Sequence, residues 1–195
     1  MIESGLFEYI SLVSALLLFV SLYFNFKLFK KLKMNHQNSR SLIKNAYFND
    51  VTELPNLANI ELVISEQMER ARRHNKKFII TAMRVDNYFK VKAESESMAH
   101  SMMHEAANRL LNLIREEDIV GHIEEDMFLI VFNEYLEDAN YTKIVDRISK
   151  LFIGEPHLND NLSLDYHFSL GCAEYPEDGT TVESLISRAK SKALK

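Results

Sequence analysis

The chain has 195 residues, 47% of them hydrophobic, which is room for one domain with its own core and a short appendage. The formal net charge is −5, but residues 1–44 hold two acids (Glu3, Glu8) against six bases, so residues 45–195 hold 26 acids and 17 bases, a net of −9. An acidic domain repels a polyanion, which argues against nucleic acid as a partner, and a single cysteine, Cys172, excludes an internal disulfide and fits a reducing compartment.

The run Ile10–Phe26 carries no charge, and Leu6 and Phe7 extend it past Glu8. A bilayer core takes roughly 20 apolar residues as a helix. A cleaved signal peptide would carry its positive charge before the run. Here the bases Lys27, Lys30, Lys31, Lys33, Arg40 and Lys44 follow it. The positive-inside rule then predicts a single-pass anchor in the inner membrane with the rest of the chain in the cytoplasm. A buried core helix is the alternative, and the lack of a polar face argues against it. Residues 1–26 are thus expected to be the anchor and 27–48 a basic, then polar, linker or stalk. Leu28, Phe29, Leu32 and Met34 continue the apolar pattern, and Asn35 to Arg40 read as a break or a polar stalk.

From Asn56 to Asn75 the periodicity is helical, with Ile60, Val63, Ile64, Met68 and Ala71 on one face. The basic end of this segment (Arg70, Arg72, Arg73, His74, Lys76, Lys77) suits a helix C-terminus, with an anionic-lipid contact as the alternative. Phe78 to Val85 reads as a buried strand. Ala99 to Ile114 reads as a helix with Met103, Ala106, Ala107, Leu110 and Ile114 inward. Ile119–Ile123 and Met127–Phe132 read as a hairpin. Leu136–Phe152 is a predicted helix, Tyr166–Tyr175 a strand and Val182–Leu194 the last helix. Cys172, in an apolar strand, is expected to be a buried packing residue rather than a reactive thiol. The order of elements predicts an α/β sandwich, a central sheet flanked by helices.

The hairpin turn is Glu124-Glu125-Asp126-Met127-Phe128, and Arg115-Glu116-Glu117-Asp118 precedes it by nine residues. Around it stand Asn49-Asp50-Val51-Thr52-Glu53-Leu54-Pro55-Asn56, the stretch Phe78–Lys92, and Ser169-Leu170-Gly171-Cys172-Ala173-Glu174-Tyr175-Pro176. In this order these segments resemble the GGDEF domain, the diguanylate cyclase fold, over residues 49–195. They are similar to that family's D-x-L-T-G-L-P-N entry, D-x-D-x-F-K strand and loop, Arg-x-x-Asp motif, Gly-Gly-Asp/Glu-Glu-Phe turn and S-x-G-x-x-x-x-P segment. The resemblance implies a ferredoxin-like core of the nucleotide-cyclase type.

The same resemblance implies that the chemistry has been lost. Diguanylate cyclases join two GTP molecules, with divalent metal and carboxylates stabilising the charged phosphates. Their first metal ligand is the first Asp of D-x-D, which aligns here with Met83 or Arg84. Asp86 matches the second Asp. The third turn position is Asp126, a vestigial ligand position. The fourth, a Glu assigned to activating the 3′-hydroxyl, is Met127, which neither binds hard Mg²⁺ nor takes a proton. Glu124 and Glu125 replace the glycine pair and put two negative charges where phosphates would sit. The guanine-reading positions fall around Lys92–Ala93 and His100–Ser101 and do not conform. Phe89-Lys90 resembles the family's F-K, and Lys190 replaces an Asp of the last helix. The degenerate signature Glu124, Glu125, Asp126, Met127 and Phe128 therefore implies no catalytic residue and no bound metal.

Arg115 and Asp118 stand at the family's inhibitory-site spacing, and Arg147 lies near a further basic contact. In the family this motif binds cyclic di-GMP. The physics suits it: a guanidinium forks onto guanine O6/N7 or a phosphate, and a carboxylate accepts guanine N–H donors. The alternative is an Arg at a helix end with an Asp in the next turn. His100 and His104, with Glu105 adjacent, have zinc-like spacing, but no third ligand is evident and a solvated helix face is expected. His122, in place of a family Arg, is expected to be a strand residue rather than a catalyst.

The sequence thus implies a catalytically inactive, membrane-anchored signalling protein, a cyclic di-GMP receptor or scaffold. No cofactor is implied; cyclic di-GMP is the implied ligand, and the expected partners are the membrane and proteins of a membrane complex, as a homodimer or heterodimer. The alternative is a protein-interaction module that binds no nucleotide. A third reading, residual GTP binding or hydrolysis, is disfavoured by Met127 and by Met83 or Arg84.

Overall fold

The structure is a computed structural model that describes residues 21–31, 44–132, 141–152 and 166–194. The chain divides into two units, Met1–Lys44 and Asn45–Lys195. In the first, residues 21–31 are helical and exposed. Among the described residues no helix is long and apolar enough to cross a membrane. Most of the Ile10–Phe26 run lies outside them, as do Leu32, Met34 and the stretch from Asn35 to Arg40.

In the second unit a short helical stretch at 45–47 and a Phe48–Pro55 bridge precede α1, Leu57–His74. The Asn56 side chain caps it by accepting from the Asn59 amide, and Asn75 ends it in the left-handed conformation (φ 49°) with its N–H on the Ala71 and Arg72 carbonyls. Arg72, Arg73 and His74 fill the last turn, where cations suit the helix dipole. They are also paired locally: Arg72 donates to both oxygens of Glu69 at 2.9 and 2.8 Å, and Arg73 to the Glu69 carbonyl.

β1, Phe78–Val85, follows, then α2, Tyr88–Glu94, and α3, Glu96–Leu113. β2 (Ile119–Glu124) and β3 (Met127–Val131) form the hairpin. α4 spans Tyr141–Phe152, β4 Phe168–Tyr175 and α5 Val182–Ala193. The α2 helix is a correction to the expected loop before Lys92. It has no side-chain N-cap, but Tyr88 and Val91, three apart, are both buried, and tertiary packing holds it. The expected Leu136 start of α4 falls outside the described residues.

The four strands are antiparallel in the order β2-β3-β1-β4. Alternation along β1 divides its side chains between two cores. Ile79, Met83 and Val85 join Tyr88 and Val91 of α2, Met102, Met103, Ala106 and Leu110 of α3, and Ile148 and Phe152 of α4. Ile80 and Ala82 join Ile60, Ile64 and Ala71 of α1 and Leu185, Ile186 and Ala189 of α5. Helices therefore flank both faces of the sheet. Cys172 is buried, its sulfur 3.1 Å from the Thr81 hydroxyl.

Gly171 sets how closely α5 lies on β4. A Cβ there would stand 2.1 Å from the Ala189 carbonyl oxygen and 2.3 Å from the Ala193 nitrogen. Only a residue without a side chain lets the helix backbone rest on the strand at this point.

Candidate functional site

The signature turn joins β2 to β3 at Glu125 and Asp126, with Glu124 opposite Met127 across the ladder and a register shift between His122 and Glu124. Met127 is 2% exposed and packs with Ile60, Leu129 and Val131. Its thioether belongs to the core beneath α1 and α5.

Glu124 and Glu125 of the turn are each held by a lysine. Lys190 of α5 pairs with Glu124. Lys92 of α2 pairs with Glu125, and its ammonium also lies 5.7 Å from the centre of the Tyr88 ring. The Lys92 hydrogen bond holds the Glu125 carboxyl below the ordinary glutamate range, and Glu125 in turn raises Lys92. The turn is thus tied to a helix on either side, across 33 and 66 residues of sequence.

Met83 and Arg84, the two candidates for the family's first metal-ligand position, lie on opposite faces of the sheet. Met83 pairs with Phe128, is fully buried, and faces α3. Arg84 pairs with Met127 on β3 and Ser169 on β4, on the opposite face. Arg84 therefore stands beside the turn. Its Nε donates to Asp86 Oδ1 at 2.7 Å, and the Ser169 hydroxyl donates to Asp86 Oδ2 at 2.7 Å. Asp126 is half-buried, and burial pushes its carboxyl up; Glu124 and Asp86 act in the same sense, and Arg84 against them. A divalent cation needs several oxygen ligands around an open position. A guanidinium already on Asp86 and a thioether at Met127 do not fit one. Among the described residues no group of three or more His, Cys, Asp or Glu side chains could hold a metal ion.

His122 has a role that the sequence reading missed. It is 2% exposed and stacks on Phe128, with ring centroids 4.8 Å apart. Its Nδ1 lies 3.1 Å from the Thr52 hydroxyl and its Nε2 3.2 Å from the Glu125 carbonyl oxygen. A neutral ring satisfies both, with Nε2–H donating to the carbonyl and Nδ1 accepting from the hydroxyl. Burial lowers its pKa from 6.5 and favours that neutral form. The ring fastens the entry loop to the signature turn. A histidine within an apolar strand was the available signal, but its partner Thr52 is 70 residues away.

Arg115 and Asp118 close the turn between α3 and β2. The Arg115 amide donates to Asp118 Oδ2 at 3.3 Å, and the Asp118 amide to the Arg115 carbonyl at 3.1 Å. The Arg115 guanidinium is 3.7 Å from Glu117 Oε1, with about half of each side chain exposed. Arg147 of α4 donates to the Leu113 carbonyl at 2.8 Å, at the end of α3. The fold thus brings Arg115, Asp118 and Arg147 together near the C-terminal end of α3.

His100 and His104 are exposed on α3, and with Val51, Ser101 and Glu105 they line an open cleft of about 350 Å³. His104 contacts Asn108, and Glu105 accepts from Arg109 at 3.0 Å. This is the solvated face that the spacing suggested. Of the aromatic pair at α2, Tyr88 is buried and Phe89 is 58% exposed.

The model of the diguanylate cyclase GGDEF domain matches residues 46–195. The chain belongs to that family. It is 25% identical over 155 residues to MucR of Pseudomonas aeruginosa, a bifunctional diguanylate cyclase/cyclic di-GMP phosphodiesterase; the match covers 77% of this chain and 22% of MucR. The diguanylate cyclase TpbB of the same species is 23% identical over 150 residues, covering 76% of this chain and 34% of TpbB. The chain therefore spans about a third or less of these curated relatives. The solved GGDEF domain of TpbB superposes with a TM-score of 0.71 at 21% identity, covering 76% of this chain and 87% of that one. The coiled coil and GGDEF domain of DgcB from Caulobacter crescentus, solved with cyclic di-GMP, gives 0.68 at 10% identity, covering 83% and 85%.

Proposed function

We propose that this GGDEF domain is catalytically inactive and serves as a cyclic di-GMP receptor or scaffold, held at the membrane by Ile10–Phe26 with the domain in the cytoplasm. One contrast carries the reading. The catalytic-turn side is closed by Lys92–Glu125, Lys190–Glu124 and Arg84–Asp86 and presents a buried methionine. The Arg115 side keeps a half-exposed guanidinium whose contact to Glu117 is long. A half-exposed guanidinium is within reach of a ligand phosphate or guanine edge.

A second reading rests on a different observation. Asp118 is bonded to the Arg115 amide and Arg147 to the Leu113 carbonyl, so two of the three groups already serve the fold. That favours a nucleotide-independent interaction module. Calorimetric titration of the full chain, in detergent, with cyclic di-GMP separates the two. Saturable heat supports the receptor; no heat at high ligand concentration leaves the module. Incubation with GTP and Mg²⁺ or Mn²⁺ tests inactivity. Product above the buffer control that disappears in Asp126→Ala would sink the inactive reading.

A further inference from the structure

The acids beside the signature turn are Asp86, Glu124, Glu125 and Asp126, brought together by β1 and the β2–β3 turn. Asp126 feels the charges of Glu124 and Asp86, and acids that repel one another need positive charge nearby. A bound cation is one source. This chain supplies the charge from its own side chains. Lys92 and Lys190 take Glu125 and Glu124. The remaining two acids, Asp86 and Asp126, have Arg84.

We infer that Arg84 is a built-in counter-cation, standing in the place of a divalent metal and making the turn's structure independent of one. Three observations carry this. Arg84 sits centrally in the cross-strand row Ser169–Arg84–Met127, so its side chain leaves the sheet on the face and at the end where the turn lies. Its Nε is 2.7 Å from Asp86, whose other oxygen is fixed by Ser169. The Val85 amide donates to the Asp126 carbonyl at 2.8 Å, which keeps Asp126 next to the strand that carries Arg84. About three-quarters of the Arg84 side chain is shielded from solvent, with 26% exposed, so its charge is screened less than a surface charge would be. A guanidinium is planar, permanently charged and pre-organised for carboxylates, so it holds this place at any metal concentration. The inference concerns metal and stability; it stands or falls apart from any binding of cyclic di-GMP.

The test uses the full chain in detergent and Mn²⁺ as the probe. The free-Mn²⁺ electron paramagnetic resonance signal should show no saturable site in wild type that depends on Asp126. Arg84→Asp should create one saturable site, lost again when Asp126→Ala is added. Arg84→Gln, which keeps bulk and removes charge, provides a second arm. Its melting temperature should fall relative to wild type in chelator and recover partly on adding Mn²⁺, whereas wild type should not respond. A wild-type Mn²⁺ site abolished by Asp126→Ala overturns the inference. So does a folded Arg84→Asp protein with no site, or an Arg84→Gln melting temperature that ignores Mn²⁺.

Discussion

Lys190, on the last helix, forms an ion pair with Glu124, the first residue of the signature turn, joining two elements 66 residues apart. The side chains are 30% and 42% exposed, so solvent screens the pair and its contribution is modest. Lys190→Glu should lower stability by about 0.5–1 kcal/mol, because a like charge then faces Glu124. Adding Glu124→Lys should recover most of the loss, and high salt should shrink it. Urea unfolding of the four proteins measures the coupling. A loss in the double variant equal to the sum of the two single losses would show that the pair contributes nothing.

His122 makes stability depend on pH. Its folded pKa lies below 6.5, so between the two values the unfolded chain binds more protons than the folded one. Its contribution is complete above the unfolded value and is lost as pH falls through the depressed folded value. Between about pH 8 and about pH 5.5 the wild-type melting temperature should fall more than that of His122→Gln, which keeps a donor and an acceptor but does not titrate. Parallel pH curves would place the dependence elsewhere.

Arg115→Ala should weaken cyclic di-GMP binding by about 10- to 100-fold, the loss of a charge-assisted pair of about 1.5–3 kcal/mol. Arg115→Lys should not restore it, because a point charge lacks the guanidinium fork. Calorimetry on the three proteins decides. Tight binding that is unchanged in Arg115→Ala would keep a receptor but move its site.

The anchor is checked in membranes. A reporter fused after Lys195 should behave as cytoplasmic, and the chain should stay with the membrane through a carbonate wash. Release by the wash would show that Ile10–Phe26 does not span the bilayer.

What could be read from the sequence follows the range of the forces involved. β1 is legible to the residue, because seven of its eight positions are buried and only Thr81 and Arg84 interrupt the apolar run. The start of α3 is less so. Ser95 caps it, accepting from the Met98 amide at 3.3 Å, four residues before Ala99, where the pattern placed its start. The choice between Met83 and Arg84 stayed open because aligning Asp86-Asn87-Tyr88-Phe89-Lys90 to a family motif leaves a one-residue length difference. Strand pairing decides it, since neighbours in β1 face opposite cores. The lysine clasps and the Thr52–His122 contact join residues far apart in the chain, and no local pattern encodes them.

The paired substitutions at the turn make its history hard to run backwards. Glu124→Gly alone would leave Lys190 without the carboxylate it meets, and Glu125→Gly would do the same to Lys92. Each step towards a glycine turn therefore carries a penalty that only a second change, 66 or 33 residues distant, relieves. Arg84 and the packed Met127 add two further positions that would have to move together. On the proposed inactive reading, a glycine turn at this place requires a coordinated change on three strands and two helices, and single substitutions made one at a time run uphill.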